Sequence, residues 1–383
     1  MILSFYRIKS LCPALWLFGM LCFFAPLAYS AQTNVPEVTT DTAAIGSGHA
    51  EKTSGKFNAG EMIIEHIVDA HEWHIAEIGH TSISIPLPVI LYSDGSLHVF
   101  SSSRFHHGEE SYNGFKLETE GKNKGKIVKV LADGITPDES AALPIDFSIS
   151  KNVMSLFISV GLLMVIFISI SRSYARRKDH APKGLQSLVE PLILFIRDDI
   201  ARPSIGEKRY MRYMPFLLTI FFFIFLNNLL GLVPFFPGGA NLTGNIAVTM
   251  VLALFTFVIT SFSGNKAYWK HIINAPGVPW WLKFPVPLMP IVEIVGVVTK
   301  PFVLMVRLFA NITAGHIIVL GFMSLIFIFG NMSIGLGLSV TPVSVGFSIF
   351  MGLLELLVAF IQAYVFTLLS AIYFGMASEE HAH

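Results

Sequence analysis

The stretch KPFVLMVRLFANITAGH, residues 300–316, lies inside an apolar run from Ile291 to Phe329 that reads as membrane-embedded helix. Arg307 stands in its middle. A guanidinium in hydrocarbon costs about 2.5–3.5 kcal/mol even on lenient scales. Its pKa lies above about 12, so it cannot shed the charge. The other ionisable groups of the run are Glu293, Lys300 and His316. Glu293, Lys300 and Arg307 are spaced by seven. Seven steps of about 100° fall about 20° short of two turns, so the three share one face at intervals of about 10.5 Å. Asn311 continues that face one turn on, and Gly315 one turn further. Ala310, Ala314 and Gly315 keep the surface thin, so another helix can approach closely. His316, nine residues from Arg307, points to the opposite side.

The last apolar segment adds Glu355 and Gln362, again seven apart, with Gly352 and Ala359 beside them. A lone buried Glu is expensive unless neutral, paired or hydrated. A His and a Glu, each able to hold or release a proton, are the parts of a relay. The plain structural alternative is internal pairing: Glu293 with Lys300 or Arg307, and His316 with Glu355. A structural ion pair rarely stabilises enough to offset its desolvation, and the concentration of these groups on two helices favours function.

The 383 residues are 53% hydrophobic and only 14% charged. Mean hydropathy is +0.63. A soluble domain carries roughly 25% charged residues, so this is an integral membrane protein with a polar region attached. Residues 31–150 hold 17 acidic and 8 basic side chains, whereas 172–212 hold 10 basic and 5 acidic. Residues 1–30 read as a secretory signal: Arg7 and Lys9 precede an apolar core, Leu11 to Leu27, and Ala28-Tyr29-Ser30 offers a cleavage site. Both cysteines, Cys12 and Cys22, lie in that segment, so the mature chain would hold no disulfide or thiolate metal site. The reading divides the chain into signal (1–30), extracytoplasmic region (31–150), membrane domain (151–377) and cytoplasmic tail (378–383).

Within 61–147, alternating stretches such as Ile83 to Tyr92 and Leu97 to Phe100, punctuated by Asp94-Gly95 and Asn113-Gly114, predict a small domain with some β structure. Five apolar segments follow, at about 152–171, 213–233, 245–263, 288–329 and 343–375. Pro182 to Arg202 reads as a surface-lying amphipathic helix. The short loops 172–212 and 264–284 contain 10 and 3 Lys/Arg, and loops 234–244 and 330–342 contain none. The basic loops belong in the cytoplasm, which puts the N-terminal region outside and the C-terminus inside. A helix of about 40 residues measures about 60 Å against a hydrocarbon core of about 30 Å. The last two segments must therefore break, with Pro301 the natural point in the fourth, or tilt strongly against a protein neighbour. The fold expected is an all-α polytopic membrane protein of about five helices, the last two long and tilted, with a small extracytoplasmic domain.

Lys300 to His316, followed by ELLVAFIQAYVF (Glu355 to Phe366) and NNLLGLVP (Asn227 to Pro234), resembles subunit a of the F-type ATP synthase membrane sector. The likeness covers roughly 150–375. It implies a proton-conducting stator beside a rotating c-subunit ring, with the b-subunit peripheral stalk and the other ATP synthase subunits as partners. It implies that Arg307 faces the ring carboxylate, with Asn311 and Gln362 nearby. His316 and Glu355 would line the half-channel from outside, and Glu293 the half-channel toward the cytoplasm. Many bacterial members carry the acid and the His the other way round. Here they are exchanged, as in the mitochondrial form. Ala310 stands where many members have Gly.

Eight of thirteen histidines fall in 31–150, among them His66, His71, His74, His106 and His107. Solvated or packing roles are simpler for them than a metal site, and no cofactor is expected. The absence of a GxxxxGK[ST] loop argues against nucleotide binding by this chain, and nothing points to nucleic acid. The competing reading is a self-contained proton-coupled transporter or channel, which would need a substrate cavity and commonly shows internal repeats. An anchored extracytoplasmic sensor would leave Arg307 unexplained.

Overall fold

The computed structural model describes residues 59–60, 63 and 68–378, apart from 79–80, 120–122, 132, 134–135, 139–140, 177–181, 234–235 and 274–287. The expected signal, the leader 31–58, the tail beyond Ser378 and His66 lie outside the described residues.

The small domain is antiparallel throughout. Strands β1 (Glu72–Ile78) and β2 (Thr81–Pro86) pair with each other. Strands β3 (Pro88–Ser93) and β4 (Ser96–Ser101) form a hairpin, joined on the far side of β3 by β7 (Ile145–Asp146). Strands β5 (Phe115–Leu117) and β6 (Ile127–Lys129) make a third ladder. Asp94-Gly95 closes β3–β4 with φ of 52° and 77°, both in the left-handed region that a two-residue hairpin loop requires. Asn113-Gly114 repeats the device at 53° and 79°. The alternation of β3 buries Val89 and Leu91 against Phe105, Phe115 and Ile127. The predicted strand from Ile83 to Tyr92 is cut in two at Leu87, whose amide turns to the Ser102 hydroxyl.

The domain is joined firmly to the first membrane helix, α1 (Lys151–Arg176). Ser150 Oγ accepts the N–H of Val153 (3.4 Å) and donates to Asp69 Oδ2 (2.6 Å). Asp69 Oδ1 accepts the N–H of Asn152 at 3.0 Å. Two oxygens thus satisfy orphan donors at the positive end of the helix.

Among the described residues five helices are long and apolar enough to cross a membrane. After α1 come α2 (Leu185–Phe195), a π-turn over Ile196–Ala201, and the short α3 (Arg202–Ile205). Helix α2 is the predicted amphipathic segment, although Val189 rather than Leu188 turns inward. Spans α4 (Tyr210–Leu232) and α5 (Ile246–Ser263) follow, then α6 (Lys266–Ile273) and the long helices α7 (Leu288–Met332) and α8 (Ile334–Ser378). The core gathers on α4, where Leu217, Ile220, Phe221 and Ile224 meet Leu252 of α5 and Ala363, Phe366 and Phe374 of α8.

Helix α7 runs 45 residues without interruption through Pro301, so of the two alternatives, break or tilt, the break does not occur. Proline removes one backbone donor, a loss that membrane helices tolerate where neighbours accommodate the freed carbonyl. A single residue, Ser333, separates α7 from α8. The pairs Gly330–Gly337, Phe322–Phe347 and His316–Glu355 run in opposite directions along the two helices, so they form an antiparallel hairpin. At its tip a Cβ on Gly337 would stand 2.8 Å from Gly330 Cα, so only glycine lets the helices meet there.

Candidate functional site

The hairpin sorts the polar residues of α7 by side. Arg307, Ala310, Asn311 and Ala314 are exposed on one face, as the seven-residue spacing predicts. Among the described residues Arg307 has no ion pair and no hydrogen bond within the chain. His316, about two and a half turns further on and so on the opposite side, faces α8 and α4 instead. Its Nδ1 lies 3.1 Å from Glu355 Oε1, and the two side chains are 18% and 7% exposed. The approach is at ion-pair distance without hydrogen-bond geometry, which leaves Glu355 Oε1 without a bonded proton partner.

Two small residues expected on the partner-facing surface turn inward. A Cβ on Gly315 would stand 3.0 Å from Glu355 Oε1, so Gly315 makes room for that carboxyl. Ala359 is 1% exposed, and its carbonyl accepts a hydrogen bond from Asn228 Nδ2 of α4 at 3.1 Å. The cause is one neglected neighbour in each case: spacing defines a helix face but not which helix covers it. Gly352 has open space around its Cα. Gln362 is buried, and the hairpin register puts it about one turn from Arg307.

Toward the other end of α7, Lys300 Nζ sits 5.6 Å from the centre of the Tyr373 ring, a cation–π contact rather than the ion pair with Glu293 considered above. A small cleft of about 10 Å³ opens there, lined by Thr256, Thr260, Tyr268, Lys300 and Tyr373 together with the apolar Phe257, Val297, Pro301 and Met376. Glu293 adjoins it: burial, with the Glu293 carboxylate nearby, holds the Tyr268 hydroxyl above its ordinary value, so Tyr268 stays a neutral donor.

Two polar clusters thus lie on either side of Arg307. At 1.5 Å per residue Lys300 is about 10 Å from it along the axis and His316 about 13 Å the other way. Sequence reasoning missed the lining residues on α4 and α5. Thr243 Oγ1 donates to Asn228 Oδ1 at 2.6 Å, and Thr256 Oγ1 lies 3.3 Å from Ser370 Oγ. The signal available was two adjacent asparagines, Asn227-Asn228, inside an otherwise apolar span. Three described histidines of the small domain pair with its own carboxylates: His71 with Asp146, His106 with Glu110, and His107 with Glu72. Among the described residues no group of three or more His, Cys, Asp or Glu is placed to hold a metal ion.

The family model described as "ATP synthase A chain" matches residues 153–375. A second, described as a domain of unknown function (DUF8433), matches 62–147, outside the stretch that the resemblance covers. ATP synthase subunit a of Chloroherpeton thalassium is 45% identical over 244 residues, 62% of this chain and 69% of its own length. That of Myxococcus xanthus is 43% identical over 252 residues, 62% and 78% of the two chains. ATP synthase subunit a of Chlorobium phaeobacteroides strain BS1 is 34% identical over 378 residues, 95% and 92% of the two, so its likeness runs through the small domain as well. The chain therefore belongs to the ATP synthase subunit a family, as a bacterial multi-pass membrane subunit of the proton-translocating sector and not a catalytic subunit by itself.

Proposed function

We propose that this chain is the stator that carries protons past a rotating ring of small c subunits, through two half-channels separated by Arg307. The observation that carries the reading is the placement of Arg307: a permanent cation on an exposed helix face, with no ion pair or hydrogen bond among the described residues, and with polar side chains on each side. Its counter-charge is the carboxylate of a ring subunit. A proton from outside reaches the ring by way of water and the His316/Glu355 pair. The neutralised carboxyl then rotates into lipid without the penalty of a buried charge. A returning carboxyl meets Arg307, is held ionised, and releases its proton toward Glu293 and the Lys300/Tyr373 cleft. Arg307 also repels a proton that would run directly between the half-channels. Each charge crossing yields about 2.3 kcal/mol per 100 mV. Asn311 lies beside Arg307 on the ring side and Gln362 inside the hairpin behind it. Ala310 and Ala314 keep the ring side shallow.

The same reading puts residues 31–150 outside the cytoplasm after removal of 1–30, the membrane domain at 151–377 and the tail from 378 inside, in a bacterial inner membrane. The b-subunit stalk and the soluble sector complete the complex. Arg307→Ala tests the proposal. Proton-driven ATP synthesis in proteoliposomes should fall to background, roughly 100-fold or more, while the complex still assembles. Retained synthesis in an assembled Arg307→Ala complex would falsify the role.

A further inference from the structure

The segment Asp69 to Trp73 sends three alternate side chains to three parts of the molecule. Asp69 caps α1 through Asn152 N–H and the Ser150 hydroxyl. His71 Nε2 lies 2.7 Å from Asp146 Oδ2, on the strand that leads into α1. Trp73, 3% exposed, sets its ring at 69° to that of Phe236, with centroids 5.2 Å apart. Phe236 belongs to the connection between α4 and α5.

That connection is bonded at several points. Gly239 N–H donates to Leu230 O (3.2 Å), Thr243 Oγ1 to Asn228 Oδ1 (2.6 Å), and Thr313 Oγ1 of α7 to Gly244 O (3.4 Å). Gly231, at the end of α4, is where it meets the proton path. A Cβ there would stand 3.5 Å from His316 Nε2 and 3.7 Å from Ala240 O. Ordering the run Pro237-Gly238-Gly239 is costly, because glycine gives up more conformational freedom on ordering than any other residue. A buried indole supplies the apolar area to offset that cost.

We infer that the Asp69–Trp73 segment is a brace that positions the outer mouth of the proton path, pinning the α4–α5 connection to the head of α1 and so holding the wall beside His316. Trp73 is a positioning residue: it acts through Phe236 and the loop, and no proton touches it. The inference rests on the half-channel reading of His316 and Glu355. It gives the small domain a task in conduction.

The test uses the whole ATP synthase in proteoliposomes, with synthesis rate followed against the pH on the domain's side. Trp73→Ala should lower the rate about tenfold at equal complex content and shift the pH profile. Trp73→Phe, which keeps a ring against Phe236, should restore most of the rate and the original profile. Phe236→Ala should reproduce the loss, and the double variant should be no worse than either single one. An unchanged rate and profile in Trp73→Ala overturns the brace. So does a loss in Trp73→Ala that Phe236→Ala does not share. If Trp73→Ala fails to assemble, Phe236→Ala decides alone, since its side chain is 43% exposed and its removal leaves the core intact. Arg307→Ala run alongside separates the two readings. Synthesis without Arg307 removes the half-channel account, whereas an Arg307-dependent enzyme indifferent to Trp73 removes only the brace.

Discussion

The small domain and the α7–α8 hairpin treat charge in opposite ways. In the domain, charges are answered locally: Asp69 by Ser150 and Asn152, Asp146 by His71, Glu72 by His107, Asp94 by Lys129. In the hairpin the strongest charge, Arg307, has no answer among the described residues, and the one close acid–base pair, His316 with Glu355, meets without a hydrogen bond. Exposure repeats the contrast within the membrane. Half of the most apolar window of α4 is buried, against 11% of that of α7. Lipid can cover apolar side chains, but it cannot answer a guanidinium. A charge paired at home holds the fold together, and a charge left open points at a partner.

The sharpest way to break this contrast in the hairpin, after Arg307 itself, is to fill the space beneath Glu355. Gly315→Val adds a branched Cβ where even a single carbon would stand 3.0 Å from Oε1 and 3.2 Å from Cδ. The carboxyl must move off His316. Proton-driven synthesis is expected to fall about tenfold or more, with Gly315→Ala intermediate. A Gly315→Val complex running at the wild-type rate would take the His316/Glu355 pair out of the path.

A smaller effect, on stability, is expected on the uncharged side. Asn228→Ala strips the Thr243 hydroxyl and the Ala359 carbonyl of their buried partner. Leaving such groups unsatisfied costs about 1–3 kcal/mol. Thermal unfolding of the purified complex should shift down accordingly. No shift would mean that water replaces the amide, and that α4 is wetter than its apolar sequence suggests.

Period and composition made much of this legible. The five spans, the common face of Arg307 and Asn311, and both left-handed turn pairs follow from spacing and residue type alone. What stayed hidden depends on neighbours distant in sequence. Gly315 and Gly337 look like generic small residues until the hairpin register sets Glu355 over one and Gly330 against the other. Ala359 belongs to the ring face by spacing but to α4 by packing, because Asn228 is 131 residues away. Pro301 reads as a breaker because its local cost is known, while the packing that offsets it is tertiary. Trp73 carries no pattern at all that announces Phe236.

The smallest effect tests the domain side. Two of its carboxyls titrate in opposite senses. Burial pushes the Asp146 carboxyl up, but the hydrogen bond and charge of His71, with the Ser148 amide, outweigh it and hold Asp146 below its ordinary value. Burial dominates at Asp69 and raises it, against the hydrogen bonds from Ser150 and Asn152. A lowered carboxyl gives stability that is complete above its unfolded value of 3.8 and is lost as the pH falls through the folded value. A raised carboxyl gives stability that is present below 3.8 and is lost as the pH climbs through the folded value. On acidification from neutrality the two oppose each other. Asp146→Asn deletes the acid-labile part and leaves the Asp69 part alone. The variant should unfold earlier than the parent at pH 7, and the gap should narrow by about 1–2 °C as the pH is taken toward 3. A gap that stays constant with pH would show that the carboxyl of Asp146 is not ionised against His71. Asp146 and His71 would then meet as a neutral hydrogen bond, and that pair would drop out of the contrast with Arg307.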